Sequence, residues 1–145
     1  LFGKPIEISA KTLKISNTKA KIFDTYQMNL KLLGVPMANV LVDVIQRPPN
    51  RILRLVFENG MISWDWIDGK VRVYYTKTKK WDELLHGEGY KGFNVEEMYQ
   101  EEIKYVIKSI KDKKNYVSSF ELELSAAKSV ILAEKSSKMK KTMKI

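Results

Sequence analysis

The chain of 145 residues contains no cysteine and only one histidine, His86. Without thiols there is no disulfide framework and no thiolate metal site, and one imidazole is too few for the usual zinc sites, so no metal is expected. His86 stands in an unpatterned stretch with no aspartate or serine at a diagnostic spacing. It reads as an ordinary loop histidine rather than a general base. No apolar run approaches the ~18 residues that a membrane span needs. The N-terminal LFGKPIEIS lacks the charged, apolar and small-residue order of a signal peptide. A soluble, cytoplasmic protein with no membrane partner is the expectation. A glycine-rich phosphate loop is not expected either: Gly87-Glu88-Gly89-Tyr90-Lys91-Gly92 has GxGxxG spacing, but the pattern alone is a weak signal, the sequence shows no strand running directly into it with a helix directly after, and it reads as a loop.

Acidic residues are the scarcer charges, 17 against 26 Lys+Arg, for a net charge of +9. The lysines are scattered from Lys4 to Lys144, with local concentrations at Lys77, Lys79 and Lys80, at Lys111, Lys113 and Lys114, and from Lys135 onward. Such spreading describes solvated faces better than a nucleic-acid footprint, and no RNP-like, KH-like or helix-turn-helix signature accompanies it. With 44% hydrophobic residues the chain can bury one compact core and is too short for two ordinary domains, so residues 1–145 are expected to form a single domain.

What the chain does have is alternation followed by helical periodicity. Ile6, Ile8 and Ala10 alternate with polar residues, and the pattern resumes out of phase at Leu13 and Ile15, which predicts a bulge or break near Thr12. Tyr26, Met28, Leu30 and Leu32 give the cleanest period of two, Gly34-Val35-Pro36 supplies a turn, and 39–46 forms the hairpin partner. Arg51 to Phe57, Met61 to Ile67 and Val71 to Tyr75 follow as strands joined by Asn59-Gly60 and Asp68-Gly69 turns. Lys77 to Gly92 reads as a long loop. Two helices close the pattern. The first begins at Asn94 as N-cap with Glu97 as capping-box partner and runs to about Lys111, with Met98, Tyr99, Ile103, Val106, Ile107 and Ile110 as an apolar stripe. The second, 119 to about 135, takes Ser118 as N-cap, is apolar over much of its circumference, and is followed by a basic turn and a short edge strand at 142–145. Sequential strands with tight turns and two late helices predict an α+β fold: a large antiparallel-rich sheet with both helices packed on one face.

Two places could bind a ligand. Gln46-Arg47-Pro48-Pro49-Asn50-Arg51 puts two guanidinium groups and two amides on a rigid turn, which suits hydroxyl, carboxylate or phosphate recognition by Arg47, Asn50 and Arg51. It equally describes a surface turn whose arginines pair with Glu58 or Asp65. Asn94 and Tyr99 lie in the first turns of a helix, whose N-terminus favours anions; the other reading of Tyr99 is a core tyrosine. Trp64 and Trp66 fall on one face and read as core or subunit interface.

Taken together, NVEEMYQEEIKYVIKS, the preceding VIQRPPNRILRLVFENGMISWDW and the closing SSFELELSAAKSVILAEKSSKMKKTMKI resemble the C-terminal domain of the glucose-fructose oxidoreductase / inositol dehydrogenase / MocA (Gfo/Idh/MocA) family. The resemblance spans nearly the whole chain, and Leu1-Phe2-Gly3-Lys4-Pro5 is similar to the junction that follows the family's catalytic region. It implies the substrate-side and oligomerisation domain of an NAD(P)-dependent oxidoreductase acting on a sugar, sugar derivative or polyol. The N-terminal Rossmann domain that binds NAD or NADP, and the catalytic residues, would lie upstream. On this reading the present piece contains no catalytic or cofactor-binding residue and is inactive alone. The resemblance also implies that Asn94, Met98 and Tyr99, matching an NxxxMYxxE pattern, face the cofactor domain. The sheet face would meet its copy in a homodimer or homotetramer. The alternatives are a free-standing binding module for anionic glycan or nucleic acid, motivated by the charge and the aromatics, and a purely structural scaffold.

Overall fold

The computed structural model describes residues 2–86, 95–114 and 119–145, the side chains of Leu85, His86 and Val95 excepted. Among these, eight strands and two helices follow in the order β1 (Pro5–Leu13), β2 (Thr25–Leu32), β3 (Ala38–Asp43), β4 (Ile52–Phe57), β5 (Gly60–Asp65), β6 (Lys70–Tyr75), β7 (Lys80–His86), α1 (Val95–Lys111), α2 (Phe120–Met139) and β8 (Met143–Lys144). The chain divides into two compact units, one of residues 1–45 with 115–145 and one of residues 46–114.

In the first unit the strands order as β3-β2-β1-β8, all antiparallel. The period of two in β2 does what it should, placing Tyr26, Met28, Leu30 and Leu32 on the less exposed side. Helix α2 packs on β1, where Ile8 and Ala133 are both fully buried. Small side chains make the approach close. Where β8 ends, the helix takes over the free edge of β1: Ala10 N–H donates to Ser136 Oγ (3.0 Å) and Thr12 N–H donates to Ser137 Oγ (2.9 Å). Ser136 Oγ in turn donates to the carbonyl of Lys141 (2.7 Å). Hydroxyls on a helix thus satisfy strand N–H groups that would otherwise lack partners.

The second unit holds the order β4-β5-β6-β7, again antiparallel throughout. The Asn59-Gly60 turn joins β4 to β5 in the expected register, setting Leu53 opposite Trp64 and Leu55 opposite Ile62. Gly60 is required there because a Cβ would lie 2.1 Å from the carbonyl oxygen of Tyr74. Lys70–Glu83 (2.8 Å) and Arg72–Glu83 (3.4 Å) tie β6 to β7, and Arg72 also pairs with Asp68. Hydrogen bonding from that guanidinium lowers the carboxyl pKa of Asp68. α1 ends at Lys111, as its periodicity predicts, but its stripe is uncovered: Ile103 is 59% and Ile110 72% exposed.

The α+β class and the antiparallel pairing agree with the sequence, while several details need correction. The strands form two four-stranded sheets rather than one large one. Pro48 and Pro49, which have no N–H to give a ladder, separate β3 from β4 so that the two do not pair. The helices belong to different units, and α2 packs on the sheet of the first. The expected loop from Lys77 contains strand β7, which pairs with β6 and brings Tyr74 and Trp81 within 5.3 Å between ring centroids. Its alternation is hidden by a bulge at Val71/Arg72, and its turn uses Lys79 at φ 54° where glycine would have been the signal. β1 runs unbroken through Thr12, which is 5% exposed on the inner side, and its irregularity falls at Pro5/Glu7 instead. Helix α2 is capped by Ser119, which accepts from Leu122 N–H, and continues to Met139, past the expected basic turn, because Ser136 and Ser137 are anchored on β1. It is not apolar-covered all round: Phe120 is 78% and Ile131 57% exposed. Asn94 and Ser118, named as caps, lie outside the described residues.

Candidate functional site

The turn of residues 46–51 carries the best-defined site chemistry of the second unit. Arg47 is exposed and donates from Nη1 to the carbonyl of Gln46 (2.7 Å). Asn50 is half-buried, and its Oδ1 is shielded from solvent with no hydrogen-bond partner. An amide oxygen in that state costs free energy until a donor reaches it. Arg51 does not pair with Glu58 or Asp65. Its guanidinium lies over the ring of Trp66, 4.9 Å from the centroid, and its carbonyl accepts from Trp66 N–H (2.9 Å). The carboxylate of Asp65 instead accepts from Ile67 N–H at 2.8 Å, bending the chain so that Trp66 turns back toward Arg51.

The structure therefore brings Asn50 and Arg51 together with Trp66, a residue that sequence reasoning assigned to core or interface. A signal was available: Arg51 and Trp66 flank a hairpin whose strands are the same length, so they meet at its open end. An amide acceptor, a fixed cation and an indole edge suit a hydroxylated or anionic ligand. Tyr99, on α1, is 55% exposed and thus not the core tyrosine of the alternative reading; no hydrogen bond joins it to the turn. Asn94 lies outside the described residues. The backbone of His86 is in β7, paired with Lys70, rather than in a loop.

The described residues form no dinucleotide cradle. The pyrophosphate of a dinucleotide is held where a strand of a parallel sheet runs through a glycine-rich turn into a helix N-terminus. Contrary to the sequence expectation, strand β7 does precede Gly87–Gly92 and helix α1 follows it, but that stretch lies outside the described residues and every described strand pair is antiparallel. Among the described residues no helix is long and apolar enough to cross a membrane, and no three acidic or histidine side chains converge as metal ligands would.

No protein-family model matches the sequence, and no curated protein does. Solved structures do match. Levoglucosan dehydrogenase in complex with NADH and L-sorbose superposes over 98% of this chain at TM-score 0.80 and 10% identity, the match covering 45% of that chain. An oxidoreductase from Agrobacterium radiobacter in complex with NAD+, L-tartaric acid and magnesium matches over 99% at TM-score 0.78 and 15% identity, covering 44% of its length. Aldose-aldose oxidoreductase from Caulobacter crescentus, complexed with glycerol, matches over 99% at TM-score 0.75 and 10% identity, covering 42%. This chain thus spans less than half the length of each protein it matches, and at these identities the likeness is one of fold. The chain has the fold that these oxidoreductases build with about two-fifths of their length, in agreement with the resemblance to the C-terminal domain of the Gfo/Idh/MocA family.

Proposed function

We propose that this chain is the substrate-side and oligomerisation domain of a cytoplasmic NAD(P)-dependent oxidoreductase acting on a sugar, sugar derivative or polyol. The observation that carries the reading is the match, over 98% of the chain at TM-score 0.80, to a dehydrogenase solved with NADH and a ketose. Because the described strands are all paired antiparallel, unlike the parallel sheet that cradles a dinucleotide, we assign NAD or NADP to a separate N-terminal Rossmann domain and assign the redox chemistry there. The part left to this chain is binding. Arg47, Asn50 and Arg51, with Trp66 beneath Arg51, receive the substrate. Asn94 and Tyr99 face the cofactor domain.

Two measurements test this. Calorimetry of the 145-residue chain against NAD and NADP should show no tight binding, and micromolar affinity would overturn the reading. In the enzyme expressed with its upstream reading frame, Arg51→Ala should raise KM for the sugar by about tenfold, as expected for a lost charged hydrogen-bonding group. An unchanged KM would remove this turn from the substrate site.

Oligomerisation is motivated by exposed apolar residues on the second sheet, with Val56 at 79%, Phe57 at 57% and Ile52 at 51% exposure. A homodimer or homotetramer joined through this sheet would bury them. Light scattering should find an oligomer at micromolar concentration that Val56→Lys dissociates. A monomeric parent, or a charged variant that associates as before, would exclude the role.

A further inference from the structure

The connection between β1 and β2, Lys14 to Asp24, is a built loop although it has no secondary structure. The ammonium of Lys14 donates to the carbonyl of Thr18 (2.6 Å), to Thr18 Oγ1 (3.2 Å) and to the carbonyl of Ala20. At the other end the carboxylate of Asp24, 4% exposed, accepts from Ile15 N–H (2.7 Å), Ser16 N–H (2.9 Å) and Ser16 Oγ (2.6 Å). A polar loop fixed from both ends loses little further entropy when something binds it.

Between this loop and helix α2 is a shallow, open cleft of about 660 Å³. Its walls include Lys14, Lys19, Lys21, Phe23, Tyr26 and Glu134. Three ammonium groups face one carboxylate, so the cleft favours an anion. Lys14 is engaged by the loop's own carbonyls, which leaves Lys19 and Lys21, two residues apart and both exposed, to meet the charge. Phe23 meets Tyr26 edge to face at 6.3 Å and 90° and is 41% exposed, presenting one ring rather than a two-sided slot. The hydroxyl of Tyr26 donates to Glu134 Oε1 (2.8 Å), placing a phenol and a carboxylate side by side, as hydroxyl recognition requires. We propose that this cleft binds a phosphorylated sugar, the phosphate on Lys19 and Lys21, the C–H face of the sugar ring on Phe23, and its hydroxyls on Tyr26 and Glu134. The proposal uses none of the residues of the substrate turn and does not depend on the oxidoreductase reading.

Calorimetric titration of the 145-residue chain with glucose 6-phosphate and glucose 1-phosphate tests it, with inorganic phosphate, glucose and AMP as comparisons. At least one sugar phosphate should bind saturably, about tenfold or more tighter than phosphate or glucose alone, since both halves contribute. A Lys19→Gln/Lys21→Gln double variant, which alters only exposed side chains and is checked for folding by circular dichroism, should weaken that binding by about tenfold or more. Phe23→Leu should weaken the sugar phosphate and leave inorganic phosphate unchanged. Inorganic phosphate binding as tightly as the sugar phosphates, AMP binding more tightly, no saturation with either sugar phosphate, or unaltered affinity in the double variant would each overturn the proposal.

Discussion

The two units of this chain carry similar four-stranded antiparallel sheets and bury them very differently. In the first, α2 lies along β1, Ile8 and Ala133 are removed from solvent, and serine hydroxyls close the strand edge. In the second, no residue of β4 to β7 is buried among those described, and α1 keeps most of its apolar stripe exposed. Order in that unit comes from its ladders, the Lys70–Glu83–Arg72–Asp68 ion pairs and the Arg51–Trp66 contact. Surface ion pairs stabilise by only about 0–1 kcal/mol each. A sheet with apolar residues and little core of its own is suited to being one wall of something larger, whereas the first unit resembles a self-sufficient scaffold. This contrast motivates the proposal that subunit contacts lie on the second unit.

The comparison breaks most readily at Ile8. Ile8→Ala should cost about 2–5 kcal/mol in urea unfolding of the first unit, as large-to-small changes at fully buried sites do. Ile110→Ala in the second unit, 72% exposed on α1, should stay within about 0.5 kcal/mol. Equal costs would mean that burial does not divide the units. Gly60→Ala sharpens the contrast from the other side. The backbone of Tyr74 blocks its Cβ, so β5 and β6 must separate, with an expected loss of about 1–3 kcal/mol, visible as faster amide exchange in β5 and β6 while α2 stays protected. The smallest effect is acid sensitivity at Asp24. Hydrogen bonds from the Ser16 hydroxyl and the backbone of Ile15 hold its pKa near 2, down from 3.8. A depressed carboxyl favours the folded state above its ordinary pKa and gives up that contribution as the pH falls from about 3.8 towards 2. Wild type should lose stability over that interval more steeply than Asp24→Asn, and parallel profiles would show that the loop is held by other means.

Legibility varied element by element. The period of two from Tyr26 to Leu32, the Asn59-Gly60 turn and the stripe of α1 were readable because each is a local pattern whose spacing matches the repeat of a strand or helix. β7 was not, since a bulge shifts its phase and a lysine occupies its positive-φ turn position. Asn50 and Arg51 were readable as residue types suited to polar ligands. Their environment was not, because the ring under Arg51 belongs to Trp66, across a hairpin.

The sequence by itself determined the α+β class, the strands of the hairpins, both helices and the absence of thiol chemistry, all of which follow from composition and short-range periodicity. Only the tertiary structure decided that Pro48 and Pro49 part the strands into two sheets, that Ser136 reaches Ala10 and Glu134 reaches Tyr26, and that Lys14 and Asp24 fix a loop beside a cleft. Those contacts join residues as many as 126 positions apart, and a hydrogen bond at that separation depends on how whole elements pack, which no local repeat in the chain encodes.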